Sequence, residues 1–515
     1  MEQPTSVLFL WHMHQPLYRR PKDKFYLLPW VRLHGVKDYF GFAYHLGKYP
    51  RIKANFNFSG ILLDQLLDYV QNKATDIYLE LTKKDPVYLS LTERNFILKR
   101  FFSVNKSTLI DPYPRYSELF EISQSKKPKE FTPQEIRDIQ VYFNLVWFHP
   151  LTVKEDKNLE ELLKKGREFN EEDKLYVINK QYEVLSKIIP LYKRLLKESQ
   201  IEISVSPYYH PILPLLSDTD ILKRHKQTPP SPKFSYPEEA FWQIEEAKKR
   251  IELLFDFKVK GSWPSEGAVS EEVLSLYKKA NFSWIATDEE ILFRTLNKDE
   301  PYKLPRQIIY RPYLFKNLLV FFRDKNLSNL ISFIYHSWLD QNSAVEDLIG
   351  HLVNIHNSVS YKKKMVLIAM DGENAWEYYP GNGFEFLDGL YQKLTAHTFL
   401  NSETISSFIE KNVSFPRIEK RLWPGSWINA DFSVWAGSKQ NNYNWQILVR
   451  LKKYIDKKKN IFPPQKVETL YSYLRIIEGS DWNWWNTYED KSGGFKKIFS
   501  SYVKEICRIL KVKLN

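Results

Sequence analysis

Short apolar runs that end in polar, titratable or aromatic residues recur along this chain, and stretches of helical period separate them. The run 7–11 leads into His12-Met13-His14-Gln15-Pro16, 54–58 into Ser59-Gly60, and 201–205 into Ser206-Pro207-Tyr208-Tyr209-His210. Further on, 259–263 leads into Pro264-Ser265-Glu266-Gly267 and 282–286 into Thr287-Asp288-Glu289. The run 318–322 leads into Arg323-Asp324, and 365–370 into Asp371-Gly372-Glu373-Asn374. Seven β-strands are predicted, each delivering polar residues just past its C-terminal end. A parallel (β/α) barrel gathers such residues on one face. A doubly wound open sheet would also place ligands at strand C-termini and stands as the alternative.

The interval 61–200 exceeds one crossover helix and sets Lys/Glu faces around Leu, Ile and Tyr stripes, so a helical insertion is expected at about 95–195. From about residue 387 the pattern is again helical. The chain therefore divides into a catalytic domain, 1–386, and a C-terminal helical domain, 387–515, which carries two dense aromatic segments at 422–437 and 478–488.

Composition narrows the function classes. The 515 residues are too many for one ordinary core, and 43% hydrophobic with 16% aromatic content excludes an extensively disordered chain. The formal charge of +13 comes from scattered Lys pairs and triplets, such as 362–364 and 457–459, mixed with acids. No aromatic-plus-basic motif accompanies them, which points to solvated helix faces and not to nucleic acid. Cys507 is the only cysteine, so an intramolecular disulfide and multi-thiolate metal sites are excluded. The start, Met1-Glu2-Gln3-Pro4, lacks a basic n-region followed by an apolar run, and no stretch has the length and apolarity of a membrane helix. No membrane association is expected, and the cytoplasm is the expected compartment. Many Lys and Glu with few Met and Cys fit a thermophile's composition.

Glu266 and Asp371 each stand just beyond a predicted strand. Strand ends from distant parts of a barrel can bring such carboxyls face to face, ready for nucleophilic and acid/base work. Among 62 Asp and Glu the pair alone is unspecific, but the surrounding segments are not. Five of them occur in order: His12-Met13-His14-Gln15-Pro16; the segment 206–214 from Ser206 to Pro214; Trp263-Pro264-Ser265-Glu266-Gly267; the segment 370–377 containing Asp371 and Trp376; and Trp423-Pro424-Gly425-Ser426-Trp427-Ile428-Asn429-Ala430. With Glu478-Gly479-Ser480-Asp481-Trp482 as a sixth, this set resembles glycoside hydrolase family 57, within its α-amylase and amylopullulanase branch.

The resemblance spans residue 8 to about 490. It implies an α/β fold: an incomplete TIM-like (β/α)7 barrel followed by a helical domain that closes a substrate cleft. It implies retaining hydrolysis of α-1,4-glucans, with α-1,6 linkages as further candidates, and no metal or organic cofactor. The family's nucleophile falls on Glu266 and its proton donor on Asp371. Glu266 is then expected to stay ionised through a bond from His14 or His210, and Asp371 to have a raised pKa. His12, His14, Gln15 and His210 are candidates for sugar hydroxyls. Trp263, Trp376, Trp427, Trp482 and Trp485 are candidates for stacking platforms, with at least two of the five expected in the core. Asp288, Asp324 and Asp481 are either hydroxyl ligands or caps and ion pairs, and Phe148-His149-Pro150 either overhangs the cleft or packs a loop. A zinc site of histidines lacks the usual helical spacing and is not expected. Asn486-Thr487-Tyr488 departs from the Gly-Asp turn that related enzymes often carry, which bears on the outer cleft. A 4-α-glucanotransferase or branching enzyme would use the same first half-reaction, although the Trp263–Gly267 form looks less like the branching type. A non-catalytic glucan-binding protein is the reading of another class, and oligomeric state is left open.

Overall fold

The computed structural model describes residues 3–412, 414–490 and 492–513; Met1 and Glu2 of the N-terminal reading lie outside the described residues. Among the described residues, nine strands form one sheet: β1 (Thr5–Met13), β2 (Ala54–Ser59), β3 (Ile201–Ser206), β4 (Gly261–Ser262), β5 (Trp284–Asp288), β6 (Tyr313–Phe315), β7 (Leu318–Arg323), β8 (Met365–Asp371) and β9 (Leu400–Ser402). Their order is β6-β7-β5-β4-β3-β2-β1-β8, with β9 also beside the start of β1. Every neighbouring pair is parallel except β6 with β7. The seven expected strands are β1 to β5, β7 and β8. The sheet curls until its ends meet: Asp324 N–H donates to Leu367 O at 2.8 Å across the β7–β8 seam. This is the incomplete barrel that the sequence implies, and it excludes the open doubly wound sheet.

Strand parity sorts the side chains. Leu8 and Leu10 of β1, Trp284 and Ala286 of β5, Leu319 and Phe321 of β7, and Met365, Leu367 and Ala369 of β8 share one inner cluster with Trp263. Their odd-man neighbours, such as Phe9, Ile285, Val320 and Ile368, pack outward against the helices. Gly261 is required inside: an added Cβ would lie 1.7 Å from the Trp284 ring. Ile405 and Phe408, from the short helix Ile405–Glu410, share the inner cluster, and Ser406 donates to buried Glu202 of β3 at 2.7 Å.

Between β2 and β3 the chain runs through helices, ending in the long one at Glu171–Lys197, which starts from an Asn170/Asp173 capping box. Its apolar stripe packs into the same outer cluster as the barrel's flanks, and so do the C-terminal helices Lys439–Lys458, Pro464–Ile477 and Gly494–Leu510. Among the described residues, no helix is long and apolar enough to cross a membrane.

Candidate active site

Extending the inner parity past the apolar layer gives the site. On β1 the next inner position after Leu10 is His12, on β2 they are Asn57 and Ser59, on β5 Asp288, on β7 Arg323 and on β8 Asp371. Register agrees, since His12 pairs with Asn57 on one side and with Asp371 on the other. The strands' C-terminal ends therefore crown the barrel with polar groups while the layer below stays apolar.

Glu266 follows β4 in a turn where its own backbone is left-handed, at φ 57° and ψ 24°. A non-glycine residue held there is strained and needs surrounding contacts to fix it. They come from the segment 423–431. Val269 and Gly425 exchange backbone hydrogen bonds at 2.8 and 3.0 Å, and Trp427 N–H donates to Glu266 O at 3.0 Å. Gly425 must be glycine, because a Cβ would lie 2.3 Å from Ala430 O. So anchored, the Trp427 indole Nε1–H donates to Glu266 Oε2 at 2.9 Å.

The histidines form a stack beside this carboxyl. His14 and His210 lie face to face at 3.9 Å between ring centroids, and His12 lies 5.0 Å from His210. Asn57 Oδ1 can only accept, so His12 Nδ1–H donates to it at 2.7 Å. Burial and His14 push His12 down to about 3, and burial and the other two rings hold His210 well below its usual value. Both are therefore neutral. His12 Nε2 then accepts from His210 Nε2–H at 3.1 Å, and His210 Nδ1 accepts from the Ser480 hydroxyl at 3.0 Å. His14 Nε2–H donates to Asp481 Oδ2 at 3.2 Å, and its Nδ1 pairs with Ser59 Oγ at 2.7 Å.

His14, His210 and Asp481 offer ligand atoms within 4.8 Å of one another, which invites a test for a metal. The two rings are inclined by only 16° in their stack, so their lone pairs lie in nearly parallel, separated planes. An ion about 2.0–2.1 Å from each nitrogen would have to lie in both planes at once. The donor set does not fit a metal.

Asp371 is half-buried at the end of β8, held by Gly372 N–H donating to His12 O at 2.7 Å. Two residues on, buried Glu373 accepts from Tyr39 Oη–H at 2.7 Å and from His14 N–H at 3.0 Å, both on Oε1. Burial and the charge of Asp371 hold Glu373 well above the usual carboxyl range. Burial first, and then Asp371, push Glu266 up to about 8, against the opposing pull of the Trp427 bond. This corrects the expectation that a histidine keeps Glu266 ionised. His210 Nδ1 is 3.9 Å from Glu266 Oε1, and because its lone pair accepts from Ser480 it has no proton to donate to that carboxyl. The Trp427 indole is the donor that favours the anion.

Several expected sugar contacts are corrected by burial. Trp263 and Trp376 are fully buried and Trp482 is 5% exposed, so none offers a face to a ligand. Trp263 lies in the barrel's inner layer, Trp376 under Gly383, and Trp482 donates to Ile476 O at 2.7 Å. Trp485 packs on Phe495 at 4.9 Å. Trp427 is half-buried with the Arg323 guanidinium 4.7 Å above its ring. Gln15 is buried and its side-chain oxygen accepts from Tyr18 Oη–H; His12 and His210 are likewise buried and bonded to each other. Asp288 and Asp324 are helix caps and ion-pair partners, the first to Arg323 and the second to Arg306. His149 is buried and caps the helix Pro150–Glu155. Asn57, Ser59, Arg323, Glu373 and Ser480 had no role in the sequence reading. The period-2 alternation of 54–59 already carries the signal for the first two.

A family model for glycosyl hydrolase family 57 matches residues 8–419. A search of curated proteins returns no match. Among solved structures, the chain is similar to the branching enzyme of family 57 type from Pyrococcus horikoshii, at 15% identity and a TM-score of 0.64 over 99% of this chain and 95% of that one. It is similar to an α-amylase from Thermotoga maritima at 13% identity and a TM-score of 0.62, covering 99% and 93%. A 4-α-glucanotransferase from Thermococcus litoralis follows at 15% identity and a TM-score of 0.54, covering 100% of this chain and 61% of that one. At such identities the likeness is one of fold.

Proposed function

The chain belongs to glycosyl hydrolase family 57, and on that footing we propose that it is a retaining enzyme that hydrolyses α-1,4-glucans, with Glu266 as nucleophile and Asp371 as general acid and base. The observation that carries the reading is that Glu266, just past β4, and Asp371, the last residue of β8, stand at the same end of the barrel, near enough for the charge of Asp371 to raise the pKa of Glu266. Such a pair shares protons, and its titration belongs to both groups. Burial and the charge of Asp371 both favour a proton on Glu266. The reaction needs that proton on Asp371. The Trp427 N–H, which favours the Glu266 anion, works in that direction.

In the first step Glu266 attacks the anomeric carbon while Asp371 protonates the departing oxygen, leaving a glucosyl ester on Glu266. In the second, Asp371 takes a proton from water, which displaces the ester, and the carboxyl pair returns to its starting state. The Trp263-Pro264-Ser265-Glu266-Gly267 segment supports placing the chain in the α-amylase and amylopullulanase branch. The bonds from Trp427 to Glu266 support a C-terminal region that completes the cleft, and because β9 and the helix Ile405–Glu410 belong to the barrel, we set the start of that region after residue 410 and not at 387.

Incubation with amylose, pullulan and maltooligosaccharides, followed by product sizing, tests the reading. Hydrolysis releases reducing ends and forms no product longer than the substrate. Longer maltooligosaccharides would assign a 4-α-glucanotransferase, new α-1,6 branches a branching enzyme, and binding without turnover a glucan-binding protein.

A further inference from the structure

Arg323 is the last residue of β7 and points to the inner face, where it is buried. Its Nε–H donates to Asp288 Oδ2 on β5 at 2.7 Å, and its Nη1–H donates to Ala369 O on β8 at 3.1 Å, two residues before Asp371. Asp288 is itself fixed, since its Oδ1 caps the next helix at Glu290 N. A guanidinium donates in its own plane and leaves its faces free. With its edges held by β5 and β8, the Arg323 group lies over the Trp427 ring, 4.7 Å from the centroid. Trp263 packs against the same indole in a T-shaped contact at 5.4 Å and 67°. Two contacts thus set the ring whose Nε1–H reaches Glu266 Oε2.

We propose that Arg323 is a positioning residue for Glu266, acting through Trp427: it holds the indole plane so that Nε1–H meets the carboxylate, and its charge above the ring makes that N–H a stronger donor. Neither effect requires Arg323 to touch substrate. The alternative is a purely structural cation that ties β5, β7 and β8 together through Asp288 and Ala369. The two roles part in how a loss at Arg323 depends on Trp427.

The inference rests on Glu266 as nucleophile for its kinetic arm, while its spectroscopic arm needs no turnover. The full chain is labelled with 5-fluorotryptophan, and the Trp427 signal is assigned by its loss in Trp427→Phe. Arg323→Met should move that signal and shift upward, by about one pH unit, the midpoint at which it senses Glu266. Arg323→Lys keeps the charge and the reach to Asp288 but not the planar stack; it should move the signal in the same sense and serves if the Met variant does not fold. In the kinetic arm, Arg323→Met should lower kcat/KM about tenfold, the order of a desolvated cation–π contact, in the otherwise native enzyme. In the Trp427→Phe background it should change kcat/KM by less than about twofold, because contacts that act through one group are not additive. An unmoved midpoint in the folded variants, or equal losses in both backgrounds, would overturn the proposal. A shifted midpoint in an enzyme that turns over no glucan would keep the positioning role and reject the hydrolase reading.

Discussion

Replacing Trp427 with Phe removes one N–H and keeps an aromatic ring beside Trp263 and under Arg323. That N–H donates to Glu266 Oε2 at 2.9 Å and is the bond opposing the upward push of burial and Asp371. A hydrogen bond to a charged group contributes about 1.5–3 kcal/mol, and one pKa unit corresponds to about 1.4 kcal/mol. Without the donor, Glu266 should climb from about 8 by roughly 1–2 units. The sign follows from the charge: the bond stabilises the anion, so its loss favours the proton. Two effects on kcat/KM follow. The alkaline limb, where the pair loses its last proton and Asp371 can no longer act as acid, moves up by roughly 1–2 pH units. On the plateau below it, the share of sites with the proton on Asp371 falls roughly 10–100-fold, and kcat/KM falls with it. The assay is a pH profile of initial rates on a maltooligosaccharide, with thermal unfolding of both proteins as control. A variant that raises KM alone and leaves the limb in place would refute the reasoning and return Trp427 to a sugar platform.

Three further outcomes are expected. Glu266→Gln should cut turnover at least about a thousandfold, a barrier increase of about 4 kcal/mol, while amylose binding and thermal unfolding stay near native values; near-native activity would remove Glu266 from its role. Asp371→Ala should be severely slow on natural glucans but form the ester from an activated aryl glycoside, and azide should release it as an α-glycosyl azide, detected by mass spectrometry and NMR. Absence of that adduct with such a substrate would take acid/base duty away from Asp371. Trp263→Ala empties part of the barrel's inner layer and should cost about 3–5 kcal/mol in urea unfolding, whereas an unchanged midpoint would contradict its place in the core.

Strands and carboxyls were legible in the sequence for one reason: in a closed parallel sheet both faces are buried, so each strand is an apolar run, and the break in apolarity marks its C-terminal end. Glu266 and Asp371 sit at two of those breaks. β6 and β9, each three residues long, are too short to show a period. The placement of the tryptophans was not legible, because burial of Trp263 or Trp376 depends on packing across the barrel and not on neighbours in sequence. The polar logic of the site was hidden for the same reason. His12 and His210 are 198 positions apart, and neither motif says that the other's ring will take its hydrogen bond. Nor does the Trp263–Gly267 segment reveal a left-handed Glu266 whose partner comes from Trp427, 161 positions away.

The anomeric form of the first product tests the central claim most directly. Proton NMR of the wild-type enzyme acting on a maltooligosaccharide, read in the first minutes before mutarotation, should show the α-anomer. Two displacements at one carbon, through a glucosyl ester on Glu266, return the starting configuration. First-formed β-anomer would mean a single displacement by water, and Glu266 and Asp371 would then have to be an inverting base and acid.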